Sequence, residues 1–207
     1  MSKDFAYLIL GIGTDIGKTY LVELLCKNVN NSMAIKPIVT GFKQNGNSDS
    51  ERILKAMKLK ISKDNIKKIS PWRYENPVSP HYVDNINYQA LKKFCIKNIN
   101  QAKKDKKYLF IESSGGVMTP INNQKTFLDL AIDLKIPILL VTSDYLGSIS
   151  HTLSAFLALK ISKIKIKKII INNFKINNKI FNFENSIKNF TKLSVEDLQY
   201  FVSNFPK

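Results

Sequence analysis

Gly11–Thr19, with the sequence GIGTDIGKT, joins an apolar run over residues 5–10 to an amphipathic segment that continues from residue 20. The apolar run predicts a strand, and the amphipathic segment predicts a helix. A glycine-rich turn that ends in Gly-Lys-Thr between a strand and a helix is typical of a phosphate-binding loop. This stretch therefore predicts how the chain begins to fold and what kind of ligand it binds.

The residue types of this loop suit a nucleoside triphosphate. Glycines let several backbone N–H groups approach one anion, and the start of the helix adds its positive dipole end. Lys18 can reach the β- and γ-phosphates, and the hydroxyl of Thr19 can ligate Mg²⁺. Five residues separate Gly11 from Gly17, where the common pattern has four, so the rest of the chain must identify the class.

Composition limits the class of protein further. A length of 207 residues and a hydrophobic fraction of 44% predict one domain that spans residues 1–207 and buries a sizeable core. No apolar run approaches the ~18 residues of a membrane-spanning helix. The first apolar run leads directly into the loop, unlike a signal peptide. We therefore expect a cytoplasmic protein without a membrane partner.

The net charge of +16 raises the possibility of a nucleic-acid partner. However, 30 of the 32 basic residues are lysine, and the only arginines are Arg52 and Arg73. Proteins that recognise nucleic acids usually rely on arginine for bidentate contacts to phosphate and guanine. The lysines are scattered along the chain together with many Asn and Ile residues, which favours a solvated surface over a specific nucleic-acid site.

Apolar and amphipathic segments alternate along the chain. Strands are predicted at 5–11, 33–39, 107–112, 137–143 and 166–172, and helices at 18–30, 49–59, 87–104, 126–135, 148–161 and 194–204. This order predicts an α/β fold of the P-loop NTPase type, with a mostly parallel sheet flanked by helices on both faces. Residues 175–192 fit either a surface helix or a loop. Ligands of such sheets bind beyond the carboxyl ends of the strands.

Charged residues stand at those strand ends. Glu112 follows an apolar strand, as the Mg²⁺-binding carboxylate of a Walker-B segment does. Lys36 is either a lysine whose head reaches water or a cation aimed at a carboxylate, carbamate or phosphate. Either Ser48 or Asp49 is simply the N-cap of the following helix, or Asp49 also ligates Mg²⁺. His81 fits a binding or polarising role and a solvent-exposed position about equally well, and His151 fits a structural cap or an interface residue equally well.

Six segments together resemble the dethiobiotin synthetase family. They are the loop GIGTDIGKT, KPIVTG from residue 36, NSD from residue 47, SPH from residue 79, ESSGGVMTP from residue 112 and LGSISHT from residue 146. They occur in the order of that family, cover residues 5 to about 173, and include its longer loop spacing. A series of linked motifs is far more specific than a single phosphate-binding loop.

The resemblance implies an enzyme that makes dethiobiotin from 7,8-diaminopelargonic acid, CO₂ or bicarbonate, and ATP with Mg²⁺. It implies a carbamate on the N7 amine, a carbamic–phosphoric anhydride, and ring closure by the N8 amine. Lys18 would neutralise the transferring phosphoryl group and Lys36 would pair with the carbamate, so both would be catalytic. Family members are homodimers with substrate at the interface, and the segment Leu146–Ser150 would approach the substrate of the partner subunit.

The resemblance also implies three sets of ligand-binding residues. The nucleotide would contact Gly13, Thr14, Asp15, Ile16, Gly17, Lys18, Thr19, Tyr20, Glu112, Gly115 and Asn172. The substrate would contact Lys36, Thr40, Ser79, Pro80, Gly115, Gly116, Val117, Leu146, Gly147, Ser148 and Ser150. The metal ion would be held by Thr19, Asp49 and Glu112.

The chain departs from the family at three places. ESSGG stands where EGAGG is commoner, SISH stands for SINH, and no Gly-x-Ile-Pro segment follows residue 175, so residues 175–207 diverge and base preference stays open. The alternative is a nucleotide-switched partitioning ATPase of the same fold. Those proteins carry a lysine five residues before the one at position 18, where this chain has Gly13. Amidotransferase-coupled relatives would need an added glutaminase domain, for which the chain is too short.

Overall fold

The computed structural model describes residues 4–44, 46–173 and 183–206, and its centre is a six-stranded sheet. The strands of the chain are β1 Ala6–Gly11, β2 Ser32–Ile35, β3 Ile38–Thr40, β4 Trp72–Tyr74, β5 Tyr108–Gly116, β6 Ile138–Ser143, β7 Ile166–Asn172 and β8 Val195–Asp197. The order across the large sheet is β2-β5-β1-β6-β7-β8, and every paired strand is parallel. The predicted parallel sheet is confirmed, and its middle strands β1 and β6 are buried along their whole length.

Helices cover both faces of this sheet. They are α1 Lys18–Asn28, α2 Asp49–Ala56, α3 Lys63–Ile69, α4 Pro80–Val83, α5 Tyr88–Lys104, α6 Phe127–Leu134, α7 Ser148–Ile161, α8 Phe183–Thr191 and α9 Leu198–Ser203. The crossover through α1 leads from β1 towards one edge of the sheet, whereas the crossover through α6 leads from β5 towards the other. Because parallel crossovers are right-handed, helices of the two connections lie on opposite faces. Within the described residues, no helix is long and apolar enough to cross a membrane.

The predicted strand at 33–39 is wrong in one important respect. The chain leaves the large sheet at Lys36-Pro37, and residues 38–40 form β3, which pairs with β4 in a separate two-stranded sheet. Pro37 has no N–H to continue the ladder, and the N–H of Lys36 donates to the carbonyl of Ile69 at 3.1 Å. The break matters for function because it places Lys36 at the carboxyl end of the sheet.

The sequence did not predict the short helices α3 and α4 or the short strands β4 and β8. α3 and α4 lie in stretches without a clear hydrophobic period, and their bounds come from caps such as Ser62, which accepts from the N–H of Asn65. The helix predicted at 194–204 is too long, because residues 195–197 form β8 beside β7 and only 198–203 are helical. Of the stretch 175–192 left open between helix and loop, residues 183–191 are helical, and residues 175–182 lie outside the described residues.

The end of the described chain packs on the first strand. The ring of Phe205 lies 5.2 to 5.6 Å, between centroids, from four aromatic rings: Tyr7, Tyr108, Phe110 and Phe201. Phe205 is only 5% exposed, so the segment after α9 completes the core beside β1 and β5. Aromatic rings that meet edge to face contribute beyond the area they bury.

We predict that Phe205→Ala lowers the free energy of unfolding by about 3–5 kcal/mol, because it removes a buried ring and leaves a cavity. Phe190→Ala is the control, since Phe190 is 69% exposed on α8 and should change stability by less than about 0.5 kcal/mol. Urea unfolding followed by circular dichroism measures both. Equal effects of the two substitutions would contradict the packing role of Phe205.

Candidate active site

A cavity of about 870 Å³ lies at the carboxyl ends of the strands. Its lining comes from the loop after β1, the ends of β3, β5 and β7, the start of α2 and the segment around α4. The lining residues are Thr14, Asp15, Gly17, Lys18, Thr19, Tyr20, Lys36, Thr40, Gly41, Asp49, Arg52, Pro77, Val78, Ser79, Pro80, Glu112, Ser114, Gly115, Thr119, Pro120 and Asn172. Elements far apart in sequence thus supply one site, as expected for a parallel sheet.

The phosphate-binding loop is held from behind by the last residue of β7. Gly17 has a φ of +98° and caps the start of α1. The amide nitrogen of Asn172 donates to the carbonyl of Ile16 at 3.1 Å, and a Cβ built on Gly17 would lie 2.1 Å from that nitrogen. The loop therefore requires glycine at this position for both backbone conformation and space.

Lys18 folds back over the same loop. Its Nζ donates to the carbonyl of Gly13 at 2.6 Å, and its side chain is buried. Burial, with a second contribution from the nearby Lys36 ammonium, lowers the pKa of Lys18 to about 8. A bound phosphate would place a negative charge beside this ammonium and so favour its charged form. The position of Lys18 therefore suits the role predicted for it.

Lys36 lies at the centre of a buried cluster of charges. Its Nζ donates to Glu112 Oε1 at 2.7 Å and to Asp49 Oδ2, and it lies 3.4 Å from Thr19 Oγ1. The Thr19 hydroxyl itself donates to Glu112 Oε1 at 2.6 Å. The three residues predicted to hold a metal ion therefore converge in space, and they converge on the ammonium of Lys36.

The geometry shows which residue caps α2 and whether the head of Lys36 reaches water, whereas metal binding by Asp49 stays a prediction. Ser48, rather than Asp49, is the N-cap of α2, and its N–H donates to Glu51 Oε2 at 2.9 Å. Asp49 is thereby left to face the cavity. Lys36 is buried and ion-paired, so it is a cation aimed at carboxylates and its head does not reach for water.

Protonation of the cluster depends on its neighbours. Burial opposes the charge of Lys36, but Glu112 and Asp49 outweigh that effect and raise its pKa. Burial alone would raise the pKa of Asp49, but the attraction of Lys36 outweighs burial and lowers that pKa. Burial raises the pKa of Glu112 even though Lys36 opposes the shift.

The donor set fits Mg²⁺. Glu112 Oε2 is buried and has no hydrogen-bond partner in the described part of the chain, so one acceptor oxygen is unused. The hydroxyl of Thr19 and the carboxylates of Asp49 and Glu112 are the hard oxygen donors that Mg²⁺ prefers. Among the described residues, no cluster of three or more His, Cys, Asp or Glu side chains could hold a metal ion. Phosphate oxygens, or water molecules in the nucleotide-free protein, would therefore complete the coordination.

Arg52 lines the cavity and was not predicted. Its guanidinium lies 2.5 Å from Glu23 Oε1 on α1 and 3.8 Å from Asp49 Oδ1 on its own helix. It thus links α1 to the start of α2. Two signals in the sequence could have found it: arginine is rare in this chain, and Arg52 follows Asp49 by one helical turn.

The cavity lining also contains the predicted substrate residues Thr40, Ser79, Pro80 and Gly115. Gly115 has a φ of +76°, and a Cβ at this position would lie 2.4 Å from the hydroxyl oxygen of Thr119. That oxygen accepts from the N–H of Gly116 at 2.7 Å, which fixes the turn after β5. The Nδ1 of His81 lies 3.0 Å from Ser79 Oγ, so His81 contacts the cavity lining through the hydroxyl of Ser79.

Eight predicted residues are not among those that line the cavity. Gly13 and Ile16 belong to the loop itself, whereas Gly116 and Val117 lie against its start; the N–H of Val117 donates to the carbonyl of Gly11 at 3.0 Å. Leu146, Gly147, Ser148 and Ser150 lie at the start of α7. Their contact with a partner's substrate stays a prediction.

Some side chains at the start of α7 are exposed, and others are buried or hydrogen-bonded within the subunit. Leu146 is 95% exposed and Ser150 is also exposed. Ser148 is buried, and its Oγ accepts from the N–H of Tyr145 at 3.2 Å. The Nδ1 of His151 lies 2.7 Å from the hydroxyl of Tyr145, which favours a structural role for this histidine within the subunit.

We predict that Gly17→Ala weakens ATP binding at least about tenfold, because the new Cβ would displace Asn172 and the left-handed φ would strain the backbone by about 1–2 kcal/mol. Gly46→Ala is the matched control. Gly46 also has a left-handed φ, of +83°, but nothing lies within 4 Å of the position that an added Cβ would take. Isothermal titration calorimetry measures ATP affinity. Equal losses in both variants would mean that backbone strain alone, without the contact to Asn172, explains the effect.

Comparison with known sequences points to one family. A family model described as an AAA domain matches residues 6–196. The ATP-dependent dethiobiotin synthetase BioD of Legionella pneumophila (strain Paris) is 37% identical over 173 residues, covering 80% of this chain and 79% of that protein. The corresponding protein of Caulobacter sp. (strain K31) is 33% identical over 175 residues, covering 80% of this chain and 75% of that one.

Comparison with solved structures identifies the fold. The MinC:MinD cell division protein complex of Aquifex aeolicus superposes with a TM-score of 0.55 at 15% identity, covering 92% of this chain and 78% of that chain. Chloroplast FtsY from Physcomitrella patens superposes with a TM-score of 0.51 at 12% identity, covering 100% of this chain and 67% of that one. At such low identity these likenesses show the P-loop NTPase fold and nothing about activity.

Proposed function

The chain belongs to the ATP-dependent dethiobiotin synthetase family, and on that premise we propose that it converts 7,8-diaminopelargonic acid to dethiobiotin. Membership makes the protein a ligase of biotin biosynthesis that uses ATP as co-substrate. One observation supports the specific reaction most strongly: a phosphate-binding loop and the Lys36 cation share one cavity. Phosphoryl transfer needs positioning and neutralisation of charge, and this cavity offers both.

The proposed reaction has three steps. The N7 amine adds to CO₂ and releases a proton, which gives a carbamate. A carbamate oxygen then attacks the γ-phosphorus of ATP, the bond to the β-phosphate oxygen breaks, and ADP leaves. The N8 amine finally attacks the carbon of this carbamic–phosphoric anhydride, so that the ureido ring closes and phosphate departs with its bonding electron pair.

Two ammonium groups carry the charge through these steps. Lys18, at the start of α1, would face the phosphoryl group as it moves between oxygens. Lys36 would pair with the carbamate, whose negative charge is comparable to the carboxylates that Lys36 now contacts. Thr40 and the backbone at Gly115 would lie beside the substrate, since both line the same cavity.

We propose that Thr19, Asp49 and Glu112 hold the Mg²⁺ that accompanies ATP. Bound Mg²⁺ would neutralise charge on the phosphate oxygens as it develops. The unused Glu112 Oε2 and the convergence of the three side chains support this assignment. Asn172 braces the loop through the carbonyl of Ile16, and by resemblance to the family it would also contact the adenine.

The second subunit is also a proposal. The resemblance to a family of homodimers supports it, and Leu146, in the segment that would meet the partner, is 95% exposed and so available for a contact. A homodimer would bury it and bring the segment Leu146–Ser150 to the substrate of the partner subunit. Light scattering coupled to size-exclusion chromatography would give a dimer mass if this arrangement is right and a monomer mass if it is wrong.

We predict that the purified protein, given diaminopelargonic acid, bicarbonate and MgATP, forms dethiobiotin with release of one ADP and one phosphate per product. Mass spectrometry detects the ring-closed product, and reactions without ATP or without bicarbonate are the controls. No ring-closed product at saturating substrates would contradict the proposed function.

We predict that Lys36→Ala lowers kcat at least about a hundredfold, the scale of loss when a group that stabilises developing charge is removed. The Kd for ATP at saturating Mg²⁺ should change less than about threefold, because Lys36 addresses the carbamate and Lys18 the phosphates. Lys168→Ala is the control, since Lys168 pairs with Glu196 away from the cavity. Lost ATP affinity with normal turnover at high ATP would contradict the role of Lys36.

A further inference from the structure

We propose that Lys36 serves as an internal cation that fills the metal position of the nucleotide-free protein, and that Mg²⁺ arriving with ATP displaces it. The proposal rests on the metal set and the carbamate role given under the proposed function, which it deepens. It adds an order of events, because Lys36 becomes available to the carbamate only after the metal ion has taken its place.

The first support is the geometry of the oxygens. Thr19, Asp49 and Glu112 each direct an oxygen at Lys36 Nζ, with Glu112 Oε1 at 2.7 Å and Thr19 Oγ1 at 3.4 Å. A metal ion that contacted these same three oxygens would need the same convergence point, even if it also used the Glu112 Oε2 that has no partner among the described residues. The ammonium and the metal ion therefore cannot both contact all three oxygens.

The second support is the balance of charge. Two carboxylates, Asp49 and Glu112, face the buried ammonium of Lys36, and Arg52 lies 3.8 Å from the other oxygen of Asp49. A buried carboxylate without a cation is strongly unfavourable, and removal of one partner from a buried pair typically costs about 3–5 kcal/mol. Without a metal ion, Lys36 is the cation that faces both Glu112 and Asp49. A divalent ion would supply more positive charge than Lys36 does, so the exchange is favourable when phosphates arrive to complete the coordination.

The third support is that Asp49 has a second cation. Lys36 contacts Asp49 Oδ2, whereas Arg52 lies 3.8 Å from Asp49 Oδ1 and is itself anchored by Glu23 at 2.5 Å. When Lys36 leaves, Arg52 can still hold the carboxylate towards the cavity. Groups behind a metal ligand commonly orient it in this way.

The exchange would make the substrate site depend on the nucleotide site. Before MgATP binds, Lys36 is occupied by Glu112 and Asp49 and has no capacity for a carbamate. Once Mg²⁺ holds those carboxylates, the ammonium requires a new anion, and the carbamate is the anion that the cavity would receive. Binding of the two ligands would thus be coupled through one lysine.

The test compares Mg²⁺ binding to nucleotide-free protein in the variants Lys36→Met and Lys18→Met by isothermal titration calorimetry. Both substitutions remove one positive charge from the same cavity, but Lys18 contacts the carbonyl of Gly13 and none of the three ligand oxygens in the described structure. Because Lys36 competes for the position itself, we expect Lys36→Met to tighten Mg²⁺ binding at least about tenfold over wild type and Lys18→Met less than about threefold. Equal tightening would show a general effect of charge and would overturn the proposal.

A second measurement does not depend on the folding of any variant. Crystal structures of the wild-type protein, alone and with Mg²⁺ and a non-hydrolysable ATP analogue, should differ at one contact. Lys36 Nζ should lie within hydrogen-bond distance of Glu112 without ligand and beyond about 4 Å with it. A Lys36 that stays on Glu112 and Asp49 beside a bound metal ion would overturn the exchange.

These outcomes are separable from those of the proposed function. If the protein forms dethiobiotin but Lys36 stays on the carboxylates in both crystal structures, the proposed function stands and the proposed exchange is wrong. If Mg²⁺ displaces Lys36 but the protein forms no dethiobiotin, the proposed exchange stands and the proposed function is wrong.

Discussion

The ion-pair cluster around Lys36 is the constraint on which the arrangement of the site depends. For its ammonium to reach Glu112 and Asp49, β2 must end at residue 35 and the chain must turn away at Pro37. The same turn sends β3 into a second small sheet, which brings Thr40 to the cavity. The buried charge of Lys36 needs partners, and it has them because β2 stops at residue 35 and α2 begins beside it. The same turn forms the part of the lining that the substrate would meet.

The large sheet is shared with proteins of other activities, and the strand ends carry what is particular to this family. MinD and FtsY have the parallel sheet and phosphate-binding loop, yet their identity to this chain is too low to transfer an activity. The partitioning ATPase considered as an alternative has no observation of its own in its favour. Gly13 stands where those proteins carry a lysine, and the relatives of similar length are dethiobiotin synthetases.

Local signals in the sequence predicted the parallel sheet, the loop, and the residues that meet at its edge. Long-range or competing effects caused the errors. A run of apolar residues across Pro37 suggests one strand, but the tie of Lys36 to Ile69 divides it. β8 forms because β7 offers an unpaired edge, which no pattern in residues 195–197 reveals. Spacing placed Lys36 and the metal ligands at one edge without showing that they touch, because side-chain contacts depend on rotamers and burial. Arg52 was missed for the same reason.

The contact between Gly17 and Asn172 has a consequence for how such a sequence can change over time. A side chain at position 17 would collide with the amide, and a smaller residue at position 172 would remove the brace from Ile16. Residues in such contact do not have independent effects, so a substitution at one position alters which substitutions the other tolerates. Because the left-handed φ already requires glycine at position 17, the linkage would appear mainly as a restriction on which side chains position 172 accepts.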